Sequence, residues 1–350
     1  MHPEPDASPP LDAEQPPAWK SRRAWAAGIA LVVVASTLIG FAFAIRSERS
    51  RARASVPVRI DSVAGIDPGT GRVVRDVPLG AAPQAVVAGF GRLWIGEQDH
   101  DVAVVRAADG RRLAPAVRLA IDPLYLAAGA GGVWAFDGLS RLAELDPRTS
   151  RVVGGRRLWP CTAGCGGGGV AVIDGRVWVG QAPGSVFAYP HGRLLQLDSR
   201  TLATAGRVSG VGIGQLGSGY TTLWSISGAG GLVVDRIDPA TGNVQHHRLG
   251  NPSTGQPTGI VPGHGSMWAG AGRRLLYRFA PGGGYTTIRL PGVPVAVAAA
   301  PDGIWVATAR GSVLLLNPSS GKIKRSVSID GRNAVGMVFA AGRIWVAVGS

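Results

Sequence analysis

The sequence is poor in the residues from which catalytic and metal sites are usually built. Only 2 of its 350 residues are cysteine, and charged residues make up 17%. Two cysteines fall short of the four soft ligands of a structural zinc site. A Ser-His-Asp order with a nucleophile elbow is absent, and Gly164 to Gly169 is not followed by the lysine of a phosphate loop. These absences argue against the common hydrolase, zinc-finger and nucleotide-binding classes.

Basic residues are in excess, but they are dispersed. The net charge is +14, with 33 arginines and 3 lysines. The arginines are scattered, often in turns such as Gly91-Arg92 and Gly175-Arg176. A nucleic-acid binder usually gathers its charge into one stripe. We therefore expect no nucleic-acid partner and a solvated basic surface, with attraction to anionic lipid head groups or acidic polymers as the alternative.

The chain has one long apolar run, from Ala24 to Ile45, which is free of charge. Its 22 residues would span about 33 Å as a helix, enough to cross a bilayer. The preceding residues 1–23 are predicted to be a disordered tail, and residues 46–58 a basic linker. Arginines flank the run on both sides, so charge alone does not determine its orientation.

Two local patterns favour export of the carboxyl-terminal side. Ser21-Arg22-Arg23-Ala24-Trp25 resembles a twin-arginine signal, and Ala42-Phe43-Ala44 has the small-x-small spacing of a signal-peptidase site. We predict a single-pass membrane anchor with the folded part on the extracytoplasmic side. Secretion after cleavage near Ala44 is the alternative.

The remainder is a repeat, and 53 glycines and 25 prolines indicate many tight turns. A phrase with tryptophan between apolar residues recurs seven times, at intervals of 37 to 46 residues. Its tryptophans are Trp94, Trp134, Trp178, Trp224, Trp268, Trp305 and Trp345. This period is typical of propeller blades with four strands, here termed a to d from the centre outward. The tryptophan would lie on strand b.

A second phrase, Asp-Pro-x-Thr-Gly or a shortened form, falls between most pairs of tryptophans. Its copies begin at Asp67, Asp146, Asp198, Asp238 and Asn317, with degenerate copies near Ala108 and Pro281. Aspartate caps such a turn, proline sets φ, and glycine takes the left-handed position. The phrase predicts the turn between strands c and d.

The order of the phrases predicts how the two ends meet. The chain opens with a c–d hairpin from Val58 to Val77 and ends with an a–b hairpin from Val335 to Val348. Together they would complete a seventh blade and leave no open sheet edge. We predict an all-β, seven-bladed β-propeller over residues 59–350, and a monomer.

The two phrases resemble the YVTN-type repeats of bacterial surface propellers, and the related NHL and streptogramin-lyase propellers. The resemblance covers residues 59–350 and implies the architecture. It implies little about activity, because propellers include binders, sensors and enzymes. The Trp-Phe-Thr-Glu endings and the His/Glu set typical of the lyases are absent, as is the tryptophan-docking pattern of quinone-dependent dehydrogenases.

Propeller geometry places the b–c and d–a connections on one face, and here these connections vary in length. Variable loops on a rigid scaffold are common binding sites. The first candidate is the acidic loop with Glu97, Asp99, His100 and Asp101. Asp99 and Asp101 could contribute to a Ca²⁺ site, although one short loop rarely supplies all the oxygens. Otherwise we expect no cofactor. His264, in a short a–b turn, is interpreted as a solvated turn residue.

Two further loops follow along the chain. Cys161 and Cys165 are predicted to form a loop-locking disulfide in an oxidising compartment. The longest b–c loop holds four candidate binding residues: Gln181, at its start, and Phe187, Tyr189 and His191. Arg332 and Asn333, in the last d–a connection, are candidates at the channel mouth. For each aromatic residue, simple loop packing is the alternative.

The combined interpretation is a membrane-anchored extracytoplasmic propeller that binds or senses on its variable face. Its partner would be a small ligand, a cell-envelope polymer or another protein. Lyase or hydrolase activity at the channel mouth is one alternative, and a purely structural scaffold of a cell-envelope complex is another. We expect a binding protein rather than an enzyme.

Overall fold

Each tryptophan phrase forms the second strand of a four-stranded antiparallel sheet, because its unbroken run of apolar and small residues can be buried on both faces of that strand. A computed structural model describes residues 55–113, 115–161, 166–182, 192–228, 231–250, 257–272 and 274–350. Seven such sheets are present in these residues. The protein is a seven-bladed β-propeller.

The twenty-eight strands of the described residues follow in chain order. They are β1 (Ser62–Asp67), β2 (Arg72–Pro78), β3 (Pro83–Gly89), β4 (Arg92–Glu97), β5 (Asp101–Arg106), β6 (Val117–Arg118), β7 (Tyr125–Gly129), β8 (Gly132–Phe136), β9 (Arg141–Asp146), β10 (Arg151–Arg157), β11 (Gly166–Ile173), β12 (Arg176–Ala182), β13 (Gly192–Asp198) and β14 (Thr204–Val211). The second half comprises β15 (Gln215–Gly219), β16 (Thr222–Ser227), β17 (Val233–Ile237), β18 (Val244–Arg248), β19 (Ile260–Gly263), β20 (Ser266–Ala271), β21 (Leu275–Phe279), β22 (Tyr285–Arg289), β23 (Pro294–Ala300), β24 (Gly303–Thr308), β25 (Ser312–Leu316), β26 (Ile323–Ser328), β27 (Asn333–Ala340) and β28 (Arg343–Gly349).

Six blades are continuous in sequence and one is shared by the two ends of the propeller. Blades 1 to 6 are β3–β6, β7–β10, β11–β14, β15–β18, β19–β22 and β23–β26. Blade 7 has the order β2-β1-β28-β27. There β1 pairs antiparallel with β28, with Ser62 opposite Val348 and Ile66 opposite Ile344. The predicted pairing of the first and last hairpins is therefore present.

The a–b turns are two-residue hairpins. Six of the seven have positive φ at both loop residues, as at Phe90 (55°) and Gly91 (73°). This is the type I′ geometry, whose twist matches that of the strands it joins. The seventh contains Pro301, whose ring fixes a negative φ, and there the positive φ falls on Gly303.

The Asp-Pro phrases close the c–d turns as predicted. In five of these turns, the first residue is an Asp or Asn whose side-chain Oδ1 accepts two backbone N–H groups. The donors are the residues two and three positions later in the turn, at 2.6–3.3 Å. The N–H of the fourth residue on donates to the carbonyl of the first, as from Gly71 to Asp67 at 2.8 Å. Backbone donors lower the pKa of the carboxyls of Asp146, Asp198 and Asp238. These carboxylates therefore stabilise the turns in which they lie.

The tryptophans join each blade to the next. All seven indoles are at most 2% exposed. Trp94 of blade 1 packs with Val133, Ala135 and Leu145 of blade 2, and Trp345 of blade 7 packs with Leu93 of blade 1. Each of the seven core clusters combines strands of two neighbouring blades in this way. The core of the propeller therefore lies between the blades.

The innermost strands are built from small residues because seven of them converge on one axis. Strand β23 reads PVAVAAA and β11 begins with four glycines. Each inner strand contacts the inner strand of the next blade, including β27 with β3. A Cβ on Gly89 would lie 2.5 Å from the Ala128 methyl of blade 2. Larger side chains there would force the blades apart.

Two details differ from the regular repeat. The outer strand of blade 1, β6, has only two residues, and Pro115 just before it lacks the N–H that a longer ladder would need. Val58, placed by sequence in the linker, is 4% exposed and packs in the core shared by blades 6 and 7.

The predicted segment 24–45 lies outside the described residues. Among the residues that are described, no helix has the length and apolar character needed to cross a membrane.

Removing one indole tests the role of the inter-blade core. We expect Trp94→Ala to lower the free energy of unfolding by about 3–5 kcal/mol, because it leaves a cavity between blades 1 and 2. Phe90→Ala, at a turn residue that is 48% exposed, should change it by less than about 0.5 kcal/mol. Urea denaturation followed by circular dichroism measures both. Equal shifts would contradict the assigned role of Trp94.

Candidate functional site

The centre of the propeller holds a cavity of about 390 Å³ to which all seven blades contribute. Its walls begin at the first residues of the inner strands and the segments that lead into them, as at Gln84, Tyr125 and Gln215, and reach mid-strand residues such as Val87 and Val338. Inner strands begin at the face that carries the b–c and d–a connections, which we call the loop face. The opposite face, formed by the a–b and c–d turns, is the turn face. The cavity is the loop-face mouth of the central channel.

The described lining of the channel mouth has no charged side chain, and most of its side chains are apolar, but polar atoms, backbone groups included, contribute about half of its surface. The Gln84 side-chain amide donates to the Asp122 carboxylate, which leaves its carbonyl oxygen available. Gln215 has no side-chain partner among the described residues, and neither does the Tyr125 hydroxyl. Burial raises the pKa of the Tyr125 phenol, so its hydroxyl remains a donor at neutral pH. The mouth can therefore offer hydrogen bonds without charge.

Apolar residues form part of the rim of the same mouth. Leu124 and Val335 line the cavity and are each 38% exposed. Exposed aliphatic side chains beside hydrogen-bonding groups are typical of small-molecule sites. The combination suits an uncharged ligand with an apolar body.

Glu97, the first residue of the predicted acidic loop, is buried rather than solvated. It ends β4 and is 1% exposed. Its Oε1 accepts the backbone N–H of Gly80 at 2.8 Å and that of Ala81 at 3.4 Å. These residues belong to the connection from blade 7 to blade 1, so Glu97 holds that connection in place.

The other acidic-loop residues do not converge on one point. Asp99 and His100 are exposed, and His100 has a φ of 64°. Asp101 forms an ion pair with Arg118 at 3.3 Å. No group of three or more potential metal ligands occurs in the described ranges. The structure therefore brings Asp101 to a cation of its own blade instead of to a second carboxylate.

The cysteine loop and the longest b–c loop are described only in part. Cys161 is disulfide-bonded, while Cys165 lies outside the described residues, so the pairing of the two stays a prediction. Gln181 is half-buried in β12. The predicted binding residues Phe187, Tyr189 and His191 lie outside the described residues.

Arg332 and Asn333, which the sequence suggested as candidates at the channel mouth, lie on the loop face at the last d–a connection. Asn333 is exposed at the start of β27, and the Arg332 backbone N–H donates to Ile329 at 3.0 Å. The Arg332 Nε is buried and has no hydrogen-bond partner among the described residues. Neither side chain lines the channel mouth.

The sequence interpretation missed the channel residues Gln84, Tyr125 and Gln215. Each stands nine or ten residues before the tryptophan of its own blade. Counting back from the tryptophan would have located the start of every inner strand, and the polar residues there are the exceptions to an apolar pattern.

A second missed group joins blades 3 and 4. Ser225, Asp235 and His246 lie side by side across β16, β17 and β18. The Asp235 carboxylate accepts the Gly212 N–H at 2.6 Å and lies 2.8 Å from His246 Nδ1. The Ser225 hydroxyl donates to the Gly212 carbonyl at 2.5 Å. This set has the composition of a catalytic triad, but it clamps the connection at Gly212 instead of activating the serine.

No family model matches the sequence, and no curated protein matches it either. Solved structures do match. A streptogramin B lyase has a TM-score of 0.59 at 15% identity, over 77% of this chain and 91% of that chain. Virginiamycin B lyase from Staphylococcus aureus has 0.61 at 15%, over 76% and 94%. BamB from Moraxella catarrhalis has 0.50 at 15%, over 85% and 94%. At such identities the likeness shows the propeller fold alone.

A variant of Glu97 tests its structural role. We expect Glu97→Ala to destabilise the protein by about 1–3 kcal/mol, because it leaves the buried N–H groups of the Gly80 connection without an acceptor. Asp99→Ala, an exposed carboxylate in the same loop, should stay within about 0.5 kcal/mol of the wild type. Urea unfolding measures both. A stable Glu97→Ala protein would return Glu97 to the set of ligand-binding candidates.

The pH dependence of stability tests the environment of His247 in β18. Burial beside the Phe279 ring, 6.2 Å away between centroids, lowers the pKa of the His247 imidazole. The folded state therefore favours the neutral ring. The associated stability is complete above the unfolded-state pKa of about 6.5 and is lost as the pH falls below it.

We expect the urea midpoint to fall more between pH 7.5 and 5.5 in the wild type than in His247→Phe, which keeps the apolar contact. Burial raises the pKa of the Asp235 carboxyl and acts with the opposite sign. Asp235 is present in both proteins, and because its charge interacts with that of His247, the comparison reports His247 together with this interaction. His100→Ala, at an exposed ring, should keep the wild-type dependence. Parallel pH profiles for all three proteins would refute the assignment.

Proposed function

We propose that the protein is an extracytoplasmic binding module, anchored by residues 24–45, that takes an uncharged ligand at the loop-face mouth of its channel. The observation that carries the proposal is the composition of that mouth. Seven blades enclose a cavity whose described lining has mostly apolar side chains, no charged side chain and about half of its surface from polar atoms. The Gln84 carbonyl oxygen, the Tyr125 hydroxyl and the Gln215 amide can hydrogen-bond there.

The absence of charge in the described lining defines the ligand class. A carboxylate group entering this cavity would lose hydration without gaining a counter-ion, because no lining side chain is cationic, and that loss is costly. An amide or hydroxyl group would exchange its water contacts for Gln215 and Tyr125. Uncharged ligands with apolar and amide or hydroxyl groups fit this lining, whether they are free molecules or parts of a cell-envelope polymer.

The cellular setting rests on the sequence and on one cysteine. The uncharged run from Ala24 to Ile45 has the length of a membrane span. Cys161 is disulfide-bonded, and such bonds persist in oxidising compartments outside the cytoplasm. The YVTN-like phrases agree with a surface location. Lyase activity at the same mouth would require a positioned acid or base, and Tyr125 is the one titratable group in its described lining.

Matched pairs of compounds test the ligand class. The probes are N-acyl amino-acid amides and uncharged glycosides, each compared with its free-acid counterpart, screened against the full chain in nanodiscs by thermal shift. We expect the uncharged members to raise the Tm and the acids to leave it unchanged. Gln215→Ala should weaken binding of the hits roughly three- to tenfold, the value of one hydrogen bond.

Gln245→Ala is the matched control, because Gln245 is exposed on the outer strand β18 and faces away from the channel mouth. It should bind the hits like the wild type. Preference for the acids, or equal effects of the two glutamine variants, would rule out the proposed site.

A further inference from the structure

The charges of the propeller are distributed by strand position. The seven inner strands of the described residues carry no charged side chain, whereas the seven outer strands carry eleven arginines and lysines and one acidic residue, Asp76. Three of the eleven, Arg72, Arg118 and Arg151, lie directly opposite a carboxylate of the neighbouring strand. In none of the other pairs is the opposite residue acidic. Arginines that are dispersed along the sequence are therefore gathered on the outer flank of the fold.

Two arginines of blade 2 oppose each other. Arg157, at the end of β10, lies directly opposite Arg141, at the start of β9. Directly opposite residues of an antiparallel pair point to the same face, and like charges at such positions repel. Both side chains are exposed, and neither forms an ion pair with a described residue. Ala143 and Leu145, on the same face of β9, pack against blade 1, so this pair lies on the blade 1 side of the sheet.

Three more arginines line the other side of the same sheet, in the seam between blades 2 and 3. Arg156 of β10 lies opposite Leu142, whose side chain packs against blade 3. In blade 3, Arg207 lies opposite Leu195, which packs against blade 2, and Arg193 stands two residues before Leu195 on the same face. All three arginines are exposed, and none forms an ion pair with a residue that the structure describes.

These five residues, the flank arginines, are Arg141, Arg156, Arg157, Arg193 and Arg207. They lie in the middle or at the loop-face end of their strands.

Few carboxylates of blades 2 and 3 stand near the flank arginines. Asp146, Asp174 and Asp198 lie in turns of the turn face, at the other end of the strands. Asp137 is buried and accepts three backbone N–H groups of its own loop. Glu144 is half-buried and forms no ion pair with a described residue. The residues of these blades outside the described ranges, 162–165 and 183–191, include no Asp or Glu in sequence. Five cations therefore share a surface in which the fold supplies little counter-charge.

The placement of these cations indicates a linear ligand with several anionic groups. Arg141 and Arg157 point towards blade 1, while the other three point into the seam between blades 2 and 3. One small anion cannot reach both sides of β10. A thin, flexible chain that crosses the outer edge of blade 2 can bring a negative group to each side.

The strands themselves favour a polysaccharide among linear polyanions. Single-stranded nucleic acids bind where aromatic side chains stack on the bases, and β9, β10, β13 and β14 contain no aromatic residue. An acidic peptide would add to the sheet as a further strand, which requires a regular edge. Both outer strands carry register shifts, at Val152/Gly154 in β10 and near both ends of the β13–β14 pair, and bulges of this kind hinder edge pairing. A charged polysaccharide needs neither stacking nor a regular edge.

We propose that the flank arginines bind a linear anionic polysaccharide that crosses the outer edge of blade 2. None of the five lines the channel mouth, so this is a second site and does not depend on the proposed function. The acidic groups of the polymer supply the counter-charge that the opposed pair Arg141 and Arg157 lacks within the described fold.

Binding of a labelled polymer tests the proposal. The probe is polygalacturonate with a fluorescent end label, and its fully methyl-esterified form is the uncharged control with the same backbone. The full chain, in phosphatidylcholine nanodiscs whose lipid carries no net charge, is titrated against each polymer, and the fluorescence anisotropy is measured. We expect polygalacturonate to bind and the methyl ester not to bind. The affinity should fall at least roughly tenfold between about 50 and 200 mM salt, because the contacts are ionic.

Paired substitutions locate the site. Arg141→Gln combined with Arg157→Gln should weaken polygalacturonate binding roughly tenfold, because two cations that contact the polymer are removed. Arg111→Gln combined with Arg310→Gln removes the same charge from exposed positions in blades 1 and 6. This control should change the affinity less than about twofold, because salt screens distant charges.

Equal losses in the two double variants would mean that net charge alone attracts the polymer, and would overturn the proposal. Tighter binding of an oligothymidylate, of poly-glutamate or of phosphatidylglycerol vesicles than of polygalacturonate would replace the polysaccharide with a nucleic acid, an acidic peptide or a lipid surface.

The stability of the same variant separates ligand binding from a structural role. Without polymer, the Arg141→Gln and Arg157→Gln protein should unfold at a urea midpoint no lower than that of the wild type, because opposed like charges destabilise the sheet. A loss of stability together with the loss of binding would give the two arginines a structural role and contradict the proposal.

The uncharged hits of the channel mouth distinguish this proposal from the proposed function. They should still raise the Tm of the double variant, because the flank arginines do not line the channel mouth. Polygalacturonate binding without any uncharged hit would leave the flank site intact and remove the channel-mouth function. Uncharged hits without polygalacturonate binding would do the reverse.

Discussion

The burial of one indole between each blade and the next is the interaction on which this structure depends. A single four-stranded blade leaves its tryptophan half-covered, and only the following blade completes the enclosure. Blade 7 must therefore meet blade 1, and Trp345 does so against Leu93. The tight fit around the indole is seen at Gly65, opposite Trp345, where a Cβ would approach the ring to 2.9 Å. Glycine is required at that position because the ring already fills the space.

The same packing determines where function can reside. Seven inner strands that converge on one axis leave room only for small side chains, so the channel walls are mostly Ala, Val and Gly. Longer polar side chains fit where these strands begin, at the loop face. At the other end of the channel, the side-chain oxygens of the turns accept hydrogen bonds from backbone N–H groups of the same turns, as those of Asp146 and Asp238 do. Hydrogen-bonding capacity for a ligand is thus concentrated at one end of the channel.

The repeat made the architecture predictable because its signals are local. A tryptophan in a short, continuously apolar strand and an aspartate in a five-residue turn depend only on near neighbours in sequence. The blade count, the strand order and the shared seventh blade follow from their spacing. The short length of β6 does not follow from the spacing. The outer strand can end early beside Pro115 only if the rest of the blade supplies enough stability, and the spacing of the phrases does not report that stability.

The site was less predictable because its residues come from different blades. Glu97 reads as an exposed acid in an acidic loop, and it is buried because Gly80 and Ala81 arrive from blade 7. Asp235 meets Gly212 and His246 only after three strands and a connection are in register. Gln84, Tyr125 and Gln215 share one cavity although more than a hundred residues separate the first from the last. These contacts form only when the blades are assembled side by side, and a local sequence pattern carries no information about which residues that assembly brings together.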